Sequence, residues 1–178
     1  MVLADRARWD ERYQGALPSR PQLPERFRPF IKPGGPARAL EIACGVGQAS
    51  LWLARHGTHV SAFDISPVAI KTARIAAAEH EVEERCQFHV ADFDKGLPQG
   101  EPVDLVLCNM FRDPRLDQEL VERLAPGGML AIAALSEVGA EPGRFRIGPG
   151  ELQSAFTSLH EVASHEADGV AWLVATNG

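Results

Sequence analysis

The chain predicts an α/β fold of the doubly wound type, and three observations carry that expectation. Short runs of almost continuously apolar residues recur along it, as strands covered on both faces require. Helical patterns fall between those runs, and repeated alternation of strand and helix implies a parallel sheet with helices on both sides. A glycine-rich turn, Cys44-Gly45-Val46-Gly47, follows the first run directly and opens a helical pattern. Backbone without a Cβ lets a ligand approach closely at such a turn.

Local chemistry then justifies each element. Residues 3–13 read as a short helix with Arg6, Trp9 and Tyr13 on one face; the aromatic pair either packs on the domain edge or meets a ligand. Pro18, Pro21, Pro24, Pro29, Pro33 and Pro36 exclude a long helix or a central strand from residues 14–36, leaving a covering segment with one helical turn around residues 25–30. A strand over 37–43 leads through the turn to a helix over 48–56, closed by Gly57. A strand over 58–63 leads to a helix capped by Ser66, with Pro67 in its first position and Ala69, Ala73 and Ala76 on one face. Strands over 86–90, 103–108 and 129–135 follow, the last two separated by a helix over 114–124. A helix over 150–158 then precedes runs over 159–165 and 170–176, and the Asp168-Gly169 turn between them favours an antiparallel hairpin.

At 178 residues, 45% of them hydrophobic, the chain is long enough for one domain with a sizeable core. Residues 1–36 are expected to form an N-terminal helix and Pro-rich cover, and residues 37–178 the domain proper. A net charge of −6 argues against a broad nucleic-acid footprint, which depends on neutralising phosphates. Cys44, Cys86 and Cys108 are odd in number and lack CxxC spacing, so they read as reduced core thiols rather than disulfides or zinc ligands. The first ten residues carry no apolar leader core and no run has bilayer length, so a cytoplasmic protein without membrane association is expected.

The run His59-Val60-Ser61-Ala62-Phe63-Asp64 ends in a lone carboxylate, from which a mononucleotide-type fold hydrogen-bonds ribose hydroxyls. Turn and acid together point to a nucleoside-containing ligand. The dinucleotide fingerprint needs a third glycine three residues past Gly47, and Ser50 stands there. A nicotinamide-dependent oxidoreductase is therefore disfavoured, and a non-catalytic cofactor-binding protein stays an alternative.

Leu40-Glu41-Ile42-Ala43-Cys44-Gly45-Val46-Gly47 resembles the first motif of the class I S-adenosylmethionine-dependent methyltransferases, with Ala43 where a glycine is often found. Asp64-Ile65-Ser66-Pro67 resembles the family's second-strand signature, Ala91-Asp92-Phe93 its third, and Leu124-Ala125-Pro126-Gly127-Gly128 the turn before its fifth strand. Trp9-Asp10-Glu11-Arg12-Tyr13 and Pro149-Gly150-Glu151-Leu152 are similar to the small tellurite-resistance and thiopurine-type methyltransferases. The resemblance implies a Rossmann-like doubly wound, mostly parallel seven-stranded sheet with a C-terminal antiparallel strand, and S-adenosyl-L-methionine as cofactor. It implies that Glu41, Ala43, Cys44, Gly45 and Gly47 hold the methionine part, with Glu41 acting on the ammonium. Asp64 would accept from both ribose hydroxyls, Ile65 would pack on the base, and Phe93 would offer its backbone N–H to the ring. Asp92 would take the adenine amino group, with Asp94 close enough to compete; Trp9, Tyr13, Gln48 and Asn109 complete the expected cofactor set.

After the fourth strand, Cys108-Asn109-Met110-Phe111-Arg112-Asp113-Pro114 lacks the Asn-Pro-Pro-aromatic motif of DNA and RNA amino-methyltransferases of this fold. Leu107-Cys108-Asn109 supplies no acid for the magnesium of catechol-type enzymes, and the Pro-Cys pair of cytosine-C5 enzymes is absent. A metal-independent enzyme acting on a small molecule follows. Met110 and Phe111 are expected as apolar wall, and Arg112 and Arg146, with Arg144, as anchors for an anionic substrate. The six histidines fall on expected helices, strands or the hairpin, no catalytic residue is assigned, and Asp10 and Asp113 are the acids that could serve an oxygen-methylating enzyme. The expected reaction is in-line displacement onto sulfur, selenium or tellurium, which needs no base, with O- or N-methylation of a small metabolite as the alternative.

Overall fold

The computed structural model describes residues 2–178, with side chains from Asp5 onward. The chain divides into two compact units, Met1–Pro98 and Gln99–Gly178.

The first unit runs α1 (Val2–Tyr13), a short helical turn at Glu25–Phe27, β1 (Arg38–Ile42), α2 (Gln48–Arg55), β2 (His59–Asp64), α3 (Pro67–Glu79) and β3 (Cys86–Val90). β1 pairs parallel with β2, Ile42 opposite Phe63, and β2 pairs parallel with β3, Asp64 opposite Val90. Cys44 N donates to Phe63 O at 3.0 Å and Ala91 N to Asp64 O at 2.9 Å, so the three strands end side by side. Ser66 starts α3 as read from sequence, its Oγ accepting from Ala69 N at 3.1 Å. Ala69, Ala73 and Ala76 are fully buried, and side chains this small let α3 approach the sheet closely. In the Pro-rich segment Leu23 and Phe27 are fully buried, and Ser19 Oγ and Gln22 N donate to Val46 O (2.7 Å) and Gln48 O (2.9 Å), pinning it to the glycine-rich turn.

The second unit contains β4 (Val103–Asn109), α4 (Asp117–Glu122), β5 (Leu124–Ser136), β6 (Arg146–Ile147), α5 (Glu151–Ala155), β7 (His160–Ala167) and β8 (Val170–Thr176). β5 pairs parallel with β4 and β6 and antiparallel with β8, which closes a hairpin with β7. Leu105, Val106 and Leu107 of β4, with Leu130, Ala131 and Ile132 of β5, are buried on both faces, which explains their unbroken apolar sequence. Asp168 (φ 51°) and Gly169 (φ 78°) form the two-residue turn with both central residues left-handed, the geometry that matches strand twist. The strand senses are those of the Rossmann-like, mostly parallel α/β fold with a C-terminal antiparallel strand that the sequence predicts.

Two helices differ from expectation. The helix placed over 114–124 is a short helical turn at Pro114–Leu116 followed by α4, because Leu124 pairs with Val103 and the pairing resumes only at Leu105 and Met129. The intervening residues 125–128 bulge from β5, where Gly127 N donates to Asn177 O at 2.7 Å and Asn177 N to Gly128 O at 2.8 Å. The helix over 150–158 shortens to Glu151–Ala155, since Phe156 (φ −116°) leaves helical geometry. No helix among the described residues is long and apolar enough to cross a membrane.

Candidate functional site

In an open parallel sheet, ligands gather beyond the carboxyl ends of the strands. In the first unit those ends carry residues 43–48, 64–66 and 91–93. The first turn is built from left-handed backbone at Ala43 (φ 53°), Gly45 (φ 54°) and Gly47 (φ 80°). The two glycines meet different neighbours. A Cβ on Gly45 would lie 2.7 Å from the Tyr13 hydroxyl, whereas one on Gly47 would lie 2.6 Å from the Phe88 ring and 3.2 Å from Ala73 Cβ. Gly47 thus serves packing of α2 against β3 and α3, while Gly45 faces the N-terminal helix.

Asp64 is the hub of this unit. It is 6% exposed, its Oδ2 accepts from Gly45 N at 2.8 Å and its Oδ1 from Ser66 N at 2.9 Å. Burial raises its pKa from the ordinary carboxylate value, and the amides of Ser66, Gly45 and Ile65 oppose that rise. A carboxylate offers about four lone-pair sites, so beside these amides it keeps room for a hydroxyl donor. Ser66 Oγ in turn donates to Asp10 Oδ1 of α1 at 2.5 Å. Tyr13 stacks with Trp9 at 6.1 Å between centroids, and burial together with the Asp64 charge pushes its phenol up to about 12.

Glu41 is 4% exposed and accepts a hydrogen bond from Ser50 Oγ on α2. Burial, with a smaller push from Asp64, raises its carboxyl to about 7 against that bond. Ser50, read from sequence only as a missing glycine, is therefore the partner of the motif's acid. Cys44 and Cys86 are buried, and desolvation pushes both thiols up, so neither is a reactive thiolate. Asp92, half-buried, caps the short turn Phe93–Lys95 by accepting from Asp94 N at 3.0 Å; Asp94 and Gln48 are exposed, Ile65 is half-buried, and the Phe93 side chain is buried.

The structure brings Tyr13, Gly45, Asp64, Ser66 and Asp10 together. The link from Asp10 to Ser66 was not legible in the sequence, although Ser66 was legible as a helix cap and Asp10 as an acid that could serve an oxygen-methylating enzyme.

In the second unit, Asn109 ends β4 and Met110 takes a left-handed φ of 62°, its N donating to Ala133 O at 2.7 Å. Strained non-glycine backbone of this kind gathers at ligand-facing sites. Met110 is exposed and Phe111 half-buried. Two of the arginines read as anchors, Arg112 and Arg146, bond within the protein. Arg112, its side chain 6% exposed, forks onto Asp117 and meets Glu151 Oε1 at 3.2 Å, with its guanidinium 5.8 Å from the Phe156 ring centre. Arg146 Nη1 donates to Ser136 O at 2.6 Å and Gly169 O at 2.9 Å, pinning β6 and the hairpin turn. Asp113 is held by Arg115, whose hydrogen bonds keep its carboxyl below the usual range. Among the described residues no group of three or more His, Cys, Asp or Glu could hold a metal ion.

Residues 39–128 match the sequence model of a family described as methyltransferase domain. The chain is 30% identical over 105 residues to a ubiquinone biosynthesis O-methyltransferase of Xylella fastidiosa, a match covering 56% of this chain and 42% of that protein. It is 31% identical over 115 residues to ribosomal RNA small subunit methyltransferase C of Alcanivorax borkumensis, covering 59% of this chain and 34% of that one. The chain thus matches less than half the length of either curated relative. In fold it is similar to the crystal structure of TehB from Haemophilus influenzae, with a TM-score of 0.73 at 18% identity over 81% of this chain and 58% of that one.

Proposed function

Because this chain belongs to the class I S-adenosylmethionine-dependent methyltransferase family, we propose that it transfers the methyl group of S-adenosyl-L-methionine to a small molecule by in-line displacement, without a metal. The accepting atom in this reading is a soft nucleophile, sulfur, selenium or tellurium. The observation that carries it is Asp64, buried at aligned strand ends with both oxygens oriented by the amides of Gly45 and Ser66.

The donor set fits the cofactor. The remaining acceptor capacity of Asp64 suits a ribose hydroxyl, and the buried acids Glu41 and Asp64 place negative potential where a cationic ligand would relieve their mutual repulsion. Bound adenosylmethionine supplies an electrophilic methyl on a sulfonium. The chain's own residues orient the nucleoside and keep water out through the Pro-rich cover. Neither acid considered as a base is well placed for that work: Asp113 is paired with Arg115 and Asp10 with Ser66. That supports an acceptor ionising by itself. Residues 37–178 form the methyltransferase domain in this reading and residues 1–36 its cover. The three buried free cysteines accord with a reducing cytoplasmic setting.

The test of the cofactor assignment is Asp64→Ala, which removes two charge-assisted hydrogen bonds and should weaken adenosylmethionine binding by about 2–4 kcal/mol in calorimetry. Unchanged affinity in the folded variant sinks it. For the acceptor, a panel of thiols, phenols and RNA is assayed across pH by adenosylhomocysteine release. Turnover of thiols that follows the acceptor's own ionisation is expected. A second reading, a hydroxyl acceptor, is favoured by the O-methyltransferase named among the relatives. Phenol-only turnover selects it, and RNA turnover would revive the rRNA comparison against a net charge of −6.

A further inference from the structure

We propose that Asp10 is a positioning residue for cofactor binding, tying α1 to the Ser66 cap and so holding Tyr13 over the Gly45 turn. The inference rests on the cofactor assignment above and adds a residue to it.

The hydrogen bonds form one continuous path. Gly45 N donates to Asp64 Oδ2 at 2.8 Å, Ser66 N donates to Asp64 Oδ1 at 2.9 Å, and Ser66 Oγ donates to Asp10 Oδ1 at 2.5 Å. Ser66 Oγ also accepts from Ala69 N at 3.1 Å, which fixes its rotamer and aims its hydrogen at α1. Ser66 is fully buried, so the Asp10 oxygen reaches into the protein and is not merely lying on its surface. Arg6 is 3.9 Å from the other oxygen of Asp10, an exposed i, i+4 pair that adds little.

The consequence for α1 is geometric. Asp10 and Tyr13 are three residues apart and share a helix face. Anchoring Asp10 at Ser66 therefore sets where the Tyr13 hydroxyl falls, and it falls where a Gly45 Cβ would be, 2.7 Å from that position. Trp9, stacked on Tyr13, is carried with it, and Arg8 and Arg12 flank its ring at 5.8 and 5.7 Å. The same serine thus orients the nucleoside-binding carboxylate through its N–H and places the aromatic cover through its hydroxyl. Losing the Asp10 contact frees the cover while the amide bonds of Gly45 and Ser66 to Asp64 stay in place.

Adenosylmethionine binding is measured by calorimetry for wild type, Asp10→Asn, Asp10→Ala, Ser66→Ala and the Asp10→Ala/Ser66→Ala double variant, beside thermal unfolding and tryptic cleavage at Arg12. Asp10→Ala should weaken binding about tenfold, the worth of one hydrogen bond to a charged group, speed cleavage at Arg12, and lower the melting temperature by no more than a few degrees. Asp10→Asn, whose Oδ1 still accepts from Ser66, should stay within about threefold of wild type. In the Ser66→Ala background, Asp10→Ala should have no further effect. Asp10→Ser replaces Asp10→Ala should the latter not fold. Wild-type affinity in Asp10→Ala, equal losses in Asp10→Asn and Asp10→Ala, or the full Asp10→Ala loss persisting without Ser66 would each overturn the proposal. A wild-type protein that binds no adenosylmethionine removes the functional reading instead, and this inference with it.

Discussion

Ala43 holds a left-handed φ of 53° in the turn after β1, where the resembled motif often has glycine. A Cβ in that region costs about 1–2 kcal/mol through its clash with the following carbonyl. Ala43→Gly removes the clash but adds entropy to the unfolded chain, so urea denaturation should show a net gain of about 0.5–1 kcal/mol. A loss would mean that the Ala43 methyl packs to more effect than its backbone is strained. The sequence identified this position because it lies within a local motif. It did not foresee the partners of Arg112, expected as a substrate anchor, whose side chain lies between Asp117 and Glu151. Nothing near Arg112 along the chain announces Glu151, which is 39 residues away. Ser50 shows the same limit: only the folded chain brings its hydroxyl to Glu41.

Between elements, the two glycines of the turn meet different neighbours. On Gly47 a Cβ would meet the Phe88 ring at 2.6 Å, inside the contact of α2 with β3, where close-packed neighbours yield little. Gly47→Ala should destabilise by about 2–4 kcal/mol from overpacking and a left-handed φ combined, and Phe88→Leu should recover part of that loss. On Gly45 the nearest atom is the end of the Tyr13 side chain, which can swing away. Gly45→Ala should therefore keep more stability than Gly47→Ala and lose more adenosylmethionine affinity, read by denaturation and calorimetry on the same preparations. Element order and type were legible because hydrophobic period, proline and caps act within a few residues. The two-residue β6 and the shortened α4 and α5 were not, because cross-strand pairing and the backbone at Phe156 set where they begin and end.

For the whole molecule, Glu41 links stability to pH. Its folded carboxyl is raised to about 7 from an ordinary 4.5, so between those values the folded state binds more protons than the unfolded one. Stability from this group is full below about 4.5 and is lost as pH rises through about 7, on the order of 3 kcal/mol in all. Glu41→Gln should flatten that part of the profile and make the protein more stable than wild type above pH ~8 in guanidinium melts. Adenosylmethionine should offset part of the wild-type loss, because a cation beside the carboxylate favours its charged form. An identical slope in both proteins would place the titration elsewhere.

By itself the sequence determined the α/β class, the order of strands and helices, the reversed C-terminal hairpin and the glycine-rich turn followed by a strand-end acid. Each of these is written in the spacing of neighbours along the chain, where apolar period and turn chemistry act locally. Only the tertiary structure decided the partners: Asp64 with Gly45 at 19 residues' separation, Asp10 with Ser66 at 56, and Arg112 with Glu151 at 39. Hydrogen bonds and ion pairs act over a few ångströms, and which distant groups come that close is settled by the packing of whole elements, which no local pattern encodes.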